Sequence, residues 1–429
     1  MTTVAPARPQ RSLRAPAPTS VPAPTAPPAP PVSRVPLTVS AVVGAALVAW
    51  TAAQHGAKPA VLLLLGIGLG VALFHSRFGF TSAWRRLVAV GNGVGLRAHT
   101  VLLGATAVLF ALLIGSGAGL FGSVPAPSAG TIGVGLLLGS FLFAIGMQVG
   151  GACASGTLFA VGSGQTSIVL TLGGFVVGST LAAWQAPLWQ DLPAFEPVLF
   201  ADWFGGSGWA WAGSLAVTLA LLSLVWIASR VVQARRTPPP EGAVPSARTP
   251  WARVVRGSWP LVVGALVLAV LGGLVMLVSG GAWGITSAFA LWGSKLVGLL
   301  GGNPEAWAYF QPEPQATALA GPVLTDKTSL TDIGIIVGAA LAASAAGVWK
   351  LHTRVPARLA LGAVLGGIAM GIGARIAGGC NIGAYLAGIA SGSAHGWIWG
   401  AVALLGTWVG LRLRPLFGLG VPAPRDSVC

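Results

Sequence analysis

Charged side chains are scarce in this chain, and acidic ones are the scarcest. Only 8% of the 429 residues are charged, nine of them acidic, whereas 54% are apolar and the mean hydropathy is +0.80. An ordinary globular domain carries about 25% charged residues. This scarcity excludes a soluble fold, so the chain is predicted to fold in a lipid bilayer.

Cysteine is nearly absent, and the sequence lacks the usual motifs of metal, nucleotide and nucleophile chemistry. Three cysteines cannot build a disulfide framework, and no Cys-x-x-Cys pair or His-rich cluster is present to hold a metal. Glycine-rich stretches such as 66–70 do not lie in a strand-helix-strand unit, so they do not indicate a dinucleotide site. We therefore expect no metal, no cofactor and no enzymatic activity.

Long apolar segments make up most of the chain, and each is long enough to cross a hydrocarbon core of about 30 Å. Runs such as 61–74 and 215–227 lack the alternation of barrel strands, which predicts helices. The sequence thus predicts an all-α polytopic membrane protein of about ten spans. We place them at 37–54, 59–75, 99–121, 130–150, 166–188, 209–231, 258–280, 330–349, 359–378 and 394–417.

The distribution of charge predicts the orientation. Lys and Arg account for a net charge of +15, and they collect in the segments on one side of the predicted spans, which favours a cytoplasmic location for that side. Because the basic residues are spread over loops, a nucleic-acid partner is not expected. We expect a multi-pass protein of the cytoplasmic membrane with both termini inside. The acids of the opposite loops are Asp191, Glu196, Asp202, Glu305, Glu313, Asp326 and Asp332.

Composition divides the chain into membrane and non-membrane parts. Residues 1–36 are rich in Pro and Ala, contain four arginines and no acid, and are predicted to be a disordered basic cytoplasmic tail. A first membrane half is expected at 37–231 and a second at 258–417. They are joined by a cytoplasmic linker at 232–257, and a short cytoplasmic tail follows at 418–429.

Two pairs of similar segments occur in the same order in the two halves. Phe78 to Trp84 (FGFTSAW) resembles Trp283 to Phe289 (WGITSAF), and a Gly-x-Cys-x-x-Gly motif around Cys153 recurs around Cys380. If these segments dip into the membrane without crossing it, the second unit is inverted relative to the first, as in many transporters. The short apolar stretches 154–163 and 381–391 are predicted to be re-entrant half-helices, whose N-termini favour an anion.

These motifs supply the candidate residues of a substrate path. A thiol is a weak donor with a polarisable sulfur, which suits a soft sulfur-bearing anion. For Cys153 and Cys380 the alternatives are packing as small buried hydrophobes or a disulfide. Arg375 is either an anion-binding charge or a side chain reaching the interface. The other candidates are Gly151, Gly156, Gly379, Gly383, Gln148, Asn381, Thr81, Ser82, Thr286 and Ser287, for which helix packing is the alternative role.

The duplicated Cys and Thr-Ser-Ala motifs resemble those of the YeeE/YedE sulfur-transport family over about residues 59–417. The resemblance implies an hourglass-shaped helical fold and a path in which cysteine thiols pass thiosulfate along by hydrogen bonds, with Cys153 and Cys380 as the two principal ones. The family has a third path cysteine in an Arg-Phe-Cys-like segment. This chain has Arg77, Phe78 and Gly79 at that place, so the third cysteine is missing.

The most favoured function is therefore import of thiosulfate or a related small sulfur anion, with a cytoplasmic sulfur-accepting protein as a possible partner. A membrane thiol enzyme that relays sulfane sulfur or electrons, and a channel for another small solute, stay open as alternatives.

Overall fold

Helices dominate the computed structural model, which describes residues 30–205, 209–238, 250–351 and 354–423. Ten helical segments in this part of the chain are long and apolar enough to cross a membrane, which confirms the all-α polytopic class. Their main helices are α1 (Arg34–His55), α2 (Ala57–Ser76), α4 (Val94–Ser116), α5 (Val134–Val149), α7 (Thr166–Trp184), α8 (Ala210–Arg236), α10 (Leu261–Ser279), α13 (Lys327–Ala345), α14 (Ala357–Ile376) and α16 (Ala394–Leu413).

Shorter elements connect the long helices. They are α3 (Phe80–Val90), α6 (Ala154–Gly162), α9 (Pro250–Arg256), α11 (Thr286–Leu299), α12 (Gln315–Ala320) and α15 (Ala387–Ala390), the last preceded by a π-helical segment, Asn381–Leu386. Strands β1 (Ile132–Gly133) and β2 (Ala194–Phe195) form a small antiparallel pair. The predicted half-helices thus correspond to α6 and to the segment from Asn381 through α15.

Parts of the tails and the linker fall outside the described residues, namely 1–29, 239–249 and 424–429. Within the described part, α1 already begins at Arg34, inside the segment expected to be a tail, and α8 continues to Arg236, inside the expected linker. Helix α4 begins five residues before the predicted span, because the Asn92 side chain accepts a hydrogen bond from the Val94 amide (3.0 Å) at its start.

The prediction that Asp332 belongs to a loop is wrong. Helix α13 begins at Lys327, and the Asp326 carboxylate caps it by accepting from the Ser329 amide (2.7 Å). This cap places Asp332 in the second turn of a membrane-spanning helix, where its side chain is fully buried. The chain therefore has a buried acidic side chain within a membrane-spanning helix.

Contacts between connecting segments define two ends of the helix bundle. At what we call the basic end, Gly347 lies against Pro31, Gly164 against Lys350, and Gly91 against Arg236. At the acidic end, Ser128 donates to Ser391, Gly130 to His395, and Lys58 to Ser123. The basic end carries Arg34, Arg77, Arg85, Arg86, Arg97, Arg235, Arg236, Arg253, Arg256, Lys350, Arg354, Arg358, Arg412 and Arg414. The acidic end carries Asp191, Glu196, Asp202, Glu305, Glu313 and Asp326.

The contact pattern relates α1–α7 to α8–α16 as two repeat units. Helix α1 packs on α13 of the other unit, and its counterpart α8 packs on α4. The same holds for two further pairs of counterparts. Helix α2 contacts α13, and its counterpart α10 contacts α4. Helix α7 contacts α14, and its counterpart α16 contacts α5. Each unit contributes five long helices, an odd number, so the second unit runs opposite to the first. The repeat thus includes α1 and α8, which share no recognisable motif.

Glycine brings the two units into backbone contact. A Cβ on Gly338 of α13 would lie 2.0 Å from the carbonyl oxygen of Ile67 on α2, and one on Gly70 would lie 2.3 Å from that of Ile335. The same close approach joins α7 to α14, where a Cβ on Gly174 would meet the Val364 carbonyl at 2.4 Å. Small residues that let helix backbones approach are a principal means of association in lipid, because the solvent is as apolar as the side chains.

We expect Gly338→Ala to destabilise the folded protein, because the added methyl group forces α2 and α13 apart. Overpacking of this kind costs about 1–3 kcal/mol. Gly173→Ala on α7 is the matched control, since Gly173 is exposed and a Cβ there would meet no atom within 4 Å. Thermal unfolding followed by tryptophan fluorescence in detergent should show a lower midpoint for Gly338→Ala alone. Equal midpoints for the two variants would contradict this role of the interface.

Candidate functional site

The two buried cysteines each occupy the N-cap position of a half-helix. Cys153 precedes α6 and Cys380 precedes the π-helical segment that leads into α15. The Cys380 sulfur accepts from the Ile382 amide (3.4 Å), and the Cys153 sulfur lies 3.6 Å from the Ser155 hydroxyl oxygen. Both thiols are free, and their side chains are at most 1% exposed. The repeat therefore places one thiol in equivalent surroundings in each unit.

Glycine is suited to each position of the two Cys motifs for a different structural reason. Gly151 and Gly379 adopt positive φ angles of 88° and 156°, which a side chain would strain. A Cβ on Gly156 would lie 3.3 Å from the Cys153 sulfur, so glycine leaves that thiol room. A Cβ on Gly383 would meet no atom within 4 Å, so open space adjoins the Cys380 half-helix.

Gln148 and Arg375 occupy equivalent positions of the repeat, five residues before each cysteine, and contact equivalent threonines. The Gln148 side chain donates from Nε2 to the Thr81 carbonyl (3.3 Å), and Arg375 donates from Nη2 to the Thr286 hydroxyl (2.6 Å). The first pair lies toward the basic end and the second toward the acidic end. Arg414 donates to the Gln148 main-chain carbonyl (2.6 Å), so one unit carries a guanidinium at this position and the other has one beside it.

Arg375 is held inside the protein. Its side chain is 9% exposed, its second terminal nitrogen donates to the Tyr309 hydroxyl, and its Nε–H has no hydrogen-bond partner. Tyr309 belongs to the segment between α11 and α13, which is fixed to α11 because the Lys295 ammonium donates to the Leu319 and Gly321 carbonyls. A fixed guanidinium with a free donor is suited to bind an anion that enters from the acidic end.

The remaining polar candidates do not behave alike. Asn381 is buried next to Cys380 and neither its oxygen nor its nitrogen has a partner, so both are free to contact a ligand. The Thr81 hydroxyl is likewise buried and unpartnered. By contrast, Ser82 donates to the Gly79 carbonyl (3.2 Å) and Ser287 donates to the Thr328 hydroxyl (2.9 Å), which are contacts within or between helices.

The position at which the resemblance implied a third path cysteine falls at a helix cap. Gly79 is the N-cap of α3, and a Cβ there would lie 2.9 Å from the Ser82 hydroxyl oxygen. The serine hydroxyl therefore lies beside the space that a side chain at position 79 would need. The polar side chain at that turn is thus the Ser82 hydroxyl.

A continuous set of aromatic rings packs between the two thiol segments and the surrounding helices. Trp84 and Phe289, the equivalent last residues of the FGFTSAW and WGITSAF segments, contact Tyr385 (ring centroids 5.4 Å apart) and Phe175 (4.8 Å), respectively. All four rings are buried. Both thiols are therefore enclosed, and the structure represents a conformation closed to water at both ends.

Two polar residues near this region were not identified from the sequence as site residues. Tyr309 lies in a segment without periodicity, so no pattern could relate it to Arg375. Asp332 is fully buried on α13, and both of its carboxyl oxygens lack a hydrogen-bond partner. Its position near the start of a predicted span was the available signal, because an acid inside an apolar helix is a functional candidate by default.

Ten apolar helices, two inverted units and paired half-helices define this chain as a polytopic membrane protein with a transporter architecture. The chain belongs to the sulphur transport family (YeeE/YedE), because the family model described as Sulphur transport matches residues 75–409. The matched region contains both thiol motifs and most of both repeat units. The expected family resemblance is thereby confirmed.

Curated relatives carry names that agree with this family. The chain is 28% identical over 364 residues to the thiosulfate transporter TsuA of Spirochaeta thermophila, covering 81% of this chain and 96% of that protein. It is 27% identical over 360 residues to TsuA of Escherichia coli, covering 81% and 92%. A match to the probable transporter YedE of E. coli is 34% identical over 147 residues, which is 34% of this chain and 36% of that protein.

The burial of both thiols predicts slow chemical modification in the folded protein. In a Cys429→Ser background, which removes the third cysteine, a polar maleimide should label Cys153 and Cys380 at least about tenfold more slowly than it labels an added cysteine in Glu305→Cys, because Glu305 is exposed. Mass spectrometry measures each site. Denaturation in dodecyl sulfate should remove the difference. Fast labelling of both thiols in the folded state would contradict the enclosed geometry.

Proposed function

We propose that this chain imports thiosulfate, or a closely related small sulfur anion, across the cytoplasmic membrane along a path that passes Cys380 and then Cys153. The observation that carries the proposal is the pair of equivalent, enclosed thiols at the N-caps of inverted half-helices. The family and the names of the TsuA relatives support the substrate class.

The acidic end is the proposed entrance. The basic end carries most of the arginines, which by the positive-inside rule favours the cytoplasm for that end and for both termini. Arg375 then lies near the entrance and provides the positive charge that draws an anion out of water. Neutral Gln148 lies at the equivalent place near the exit, where the charge is instead that of Arg414, which donates to the Gln148 carbonyl.

The thiols suit the transfer step because they are neutral donors with a soft acceptor surface. A sulfane sulfur is itself polarisable, and a thiol hydrogen bond is weak enough to be exchanged for the next one. The half-helix amides add partial positive charge, as the Ile382 amide does beside Cys380. Asn381 provides an unpartnered amide group that can orient the anion.

The basic end is also the surface on which a sulfur-accepting protein would bind. Entry of an anion into a negative-inside cell opposes the membrane potential at about 2.3 kcal/mol per charge per 100 mV. Uptake therefore requires either a coupling ion or removal of the substrate inside. An acidic cytoplasmic protein that takes sulfur at the exit would meet the second requirement and would complement the arginines of that end.

Replacing either path thiol should abolish most uptake. We expect Cys153→Ser and Cys380→Ser each to lower the initial rate of radiolabelled thiosulfate uptake at least about tenfold, a loss of about 1.4 kcal/mol, because a hydroxyl is smaller and harder than a thiol. The host should lack its own thiosulfate importers, and membrane expression should be matched. Cys429→Ser is the control and should transport like the unmodified chain.

The two alternative functions, a channel and a thiol enzyme, predict different outcomes. A channel for an unrelated solute predicts that the serine variants behave like the unmodified chain. A thiol enzyme predicts a stable persulfide or a disulfide at Cys153 and Cys380 after exposure to thiosulfate, which mass spectrometry of the purified protein would detect. No uptake by the unmodified chain above the empty host would refute thiosulfate transport.

Arg375 should act on affinity. Hydrogen bonds to a charged group contribute about 1.5–3 kcal/mol, so we expect Arg375→Gln to raise the KM for thiosulfate roughly 10–100-fold, while Arg375→Lys recovers part of the loss. Arg358→Gln is the matched control, since Arg358 is exposed at the basic end. Equal KM values for Arg375→Gln and Arg358→Gln would show that Arg375 does not bind the anion.

A further inference from the structure

Asp332 is a buried acidic side chain that the proposed path does not yet use. It lies in the second turn of α13, it is fully buried, and both carboxyl oxygens lack a hydrogen-bond donor. A carboxylate without a donor or counter-ion is strongly disfavoured in such surroundings. A carboxyl group in such a place is therefore suited to bind a proton.

The position of Asp332 relates it to the candidate path. Thr328, Asp332 and Ile336 follow one another at four-residue spacing, so they share one face of α13. The Thr328 hydroxyl accepts from Ser287 on α11, and the Ile336 carbonyl faces Gly162 of the α6 half-helix. Asp332 thus lies between α11 and α6, and it is also within electrostatic range of the Cys380 sulfur.

No cation among the described residues neutralises Asp332. Asp326, the nearest acidic residue in sequence, carries the same sign and caps the start of the same helix. Lys327, the nearest cation in sequence, donates instead to the Ala282 carbonyl (3.1 Å). The other titratable groups on the elements packed against α13 are Arg34 and His55 on α1, Lys58 and His75 on α2, Cys153 at α6, Lys295 on α11, and Arg253 and Arg256 on α9.

We propose that Asp332 is a proton-binding site that couples anion import to the entry of a proton. An anion beside Cys380 repels a carboxylate at position 332 and tolerates a carboxylic acid, so the anion and the proton are bound together. When the site opens to the basic end, the carboxyl O–H bond breaks, the proton passes to cytoplasmic water and the carboxylate remains. It is reprotonated from water once the site faces the acidic end again.

Coupling of this kind is reciprocal. If the proton strengthens anion binding by a given factor, the anion strengthens proton binding by the same factor. Thiosulfate is a dianion that carries no proton at neutral pH, so the proton that enters with it must come from the protein. One proton per dianion also removes one of the two charges that oppose entry. The inference rests on the proposed function, because it names the coupling ion for that path.

The test measures proton and anion movement together. The purified full-length chain is reconstituted in liposomes that contain a pH-sensitive dye, and the membrane potential is held at zero with potassium and valinomycin. Addition of thiosulfate outside should acidify the lumen, and an inward gradient of one pH unit should raise the accumulation of labelled thiosulfate up to about tenfold. Asp332→Asn should abolish both effects, and Asp332→Glu should recover them in part.

Glu305→Gln is the matched control, since it removes an exposed acid at the acidic end and should leave both effects in place. Thiosulfate entry into wild-type liposomes without acidification would overturn the coupling while leaving the proposed function intact. Acidification by Asp332→Asn equal to that of the wild type, or uptake that depends on sodium in place of protons, would also overturn it. If no thiosulfate enters wild-type liposomes, the proposed function itself fails, and the coupling fails with it.

Discussion

Inside a membrane, backbone polar groups that a helix does not hydrogen-bond must be buried in protein, and the structure depends on this constraint. The half-helices and their glycine-rich turns leave amides without helical partners, which lipid would not tolerate. The long helices enclose them by backbone contact between the two repeat units, as at Gly338 and Ile67. Side chains larger than a hydrogen atom at these contacts would open the wall around the two thiols.

The enclosed turns then determine the chemistry that is available. Each turn ends at a cysteine, and each cysteine is followed by helix amides and preceded at five residues by a polar side chain. Because the two units are inverted, the same arrangement faces opposite ends of the bundle. The units differ where function requires a direction, since Arg375 has Gln148 as its counterpart and buried Asp332 lies on α13 of the second unit.

Much of the fold could be predicted from the sequence, because every segment that crosses the bilayer must be apolar over a length of about 30 Å. Ten helices, the inverted repeat and the half-helices at Cys153 and Cys380 were predicted from apolar length and duplicated motifs. The equivalence of α1 and α8 was not predictable, since these helices share packing and no sequence. Asp332 was placed in a loop because a single acid at the edge of an apolar run resembles a boundary, and the Asp326 cap that extends α13 has no strong local signal.

The contacts of Arg375 and Gln148 with the two threonines required the tertiary structure, which brings together residues that are far apart in sequence.

The helices of each unit pack mainly on helices of the other unit, and this has a consequence for biosynthesis. Helices α2, α4, α5 and α7 leave the ribosome early, yet their closest neighbours, α13, α10, α16 and α14 respectively, belong to the second unit. The first seven helices must wait in the bilayer without these partners until translation is nearly complete. Assembly of the thiol enclosure is therefore a late event, and a truncated chain that ends before α13 contains Cys153 but lacks the helix with which the Cys153 half-helix makes its most extensive contact.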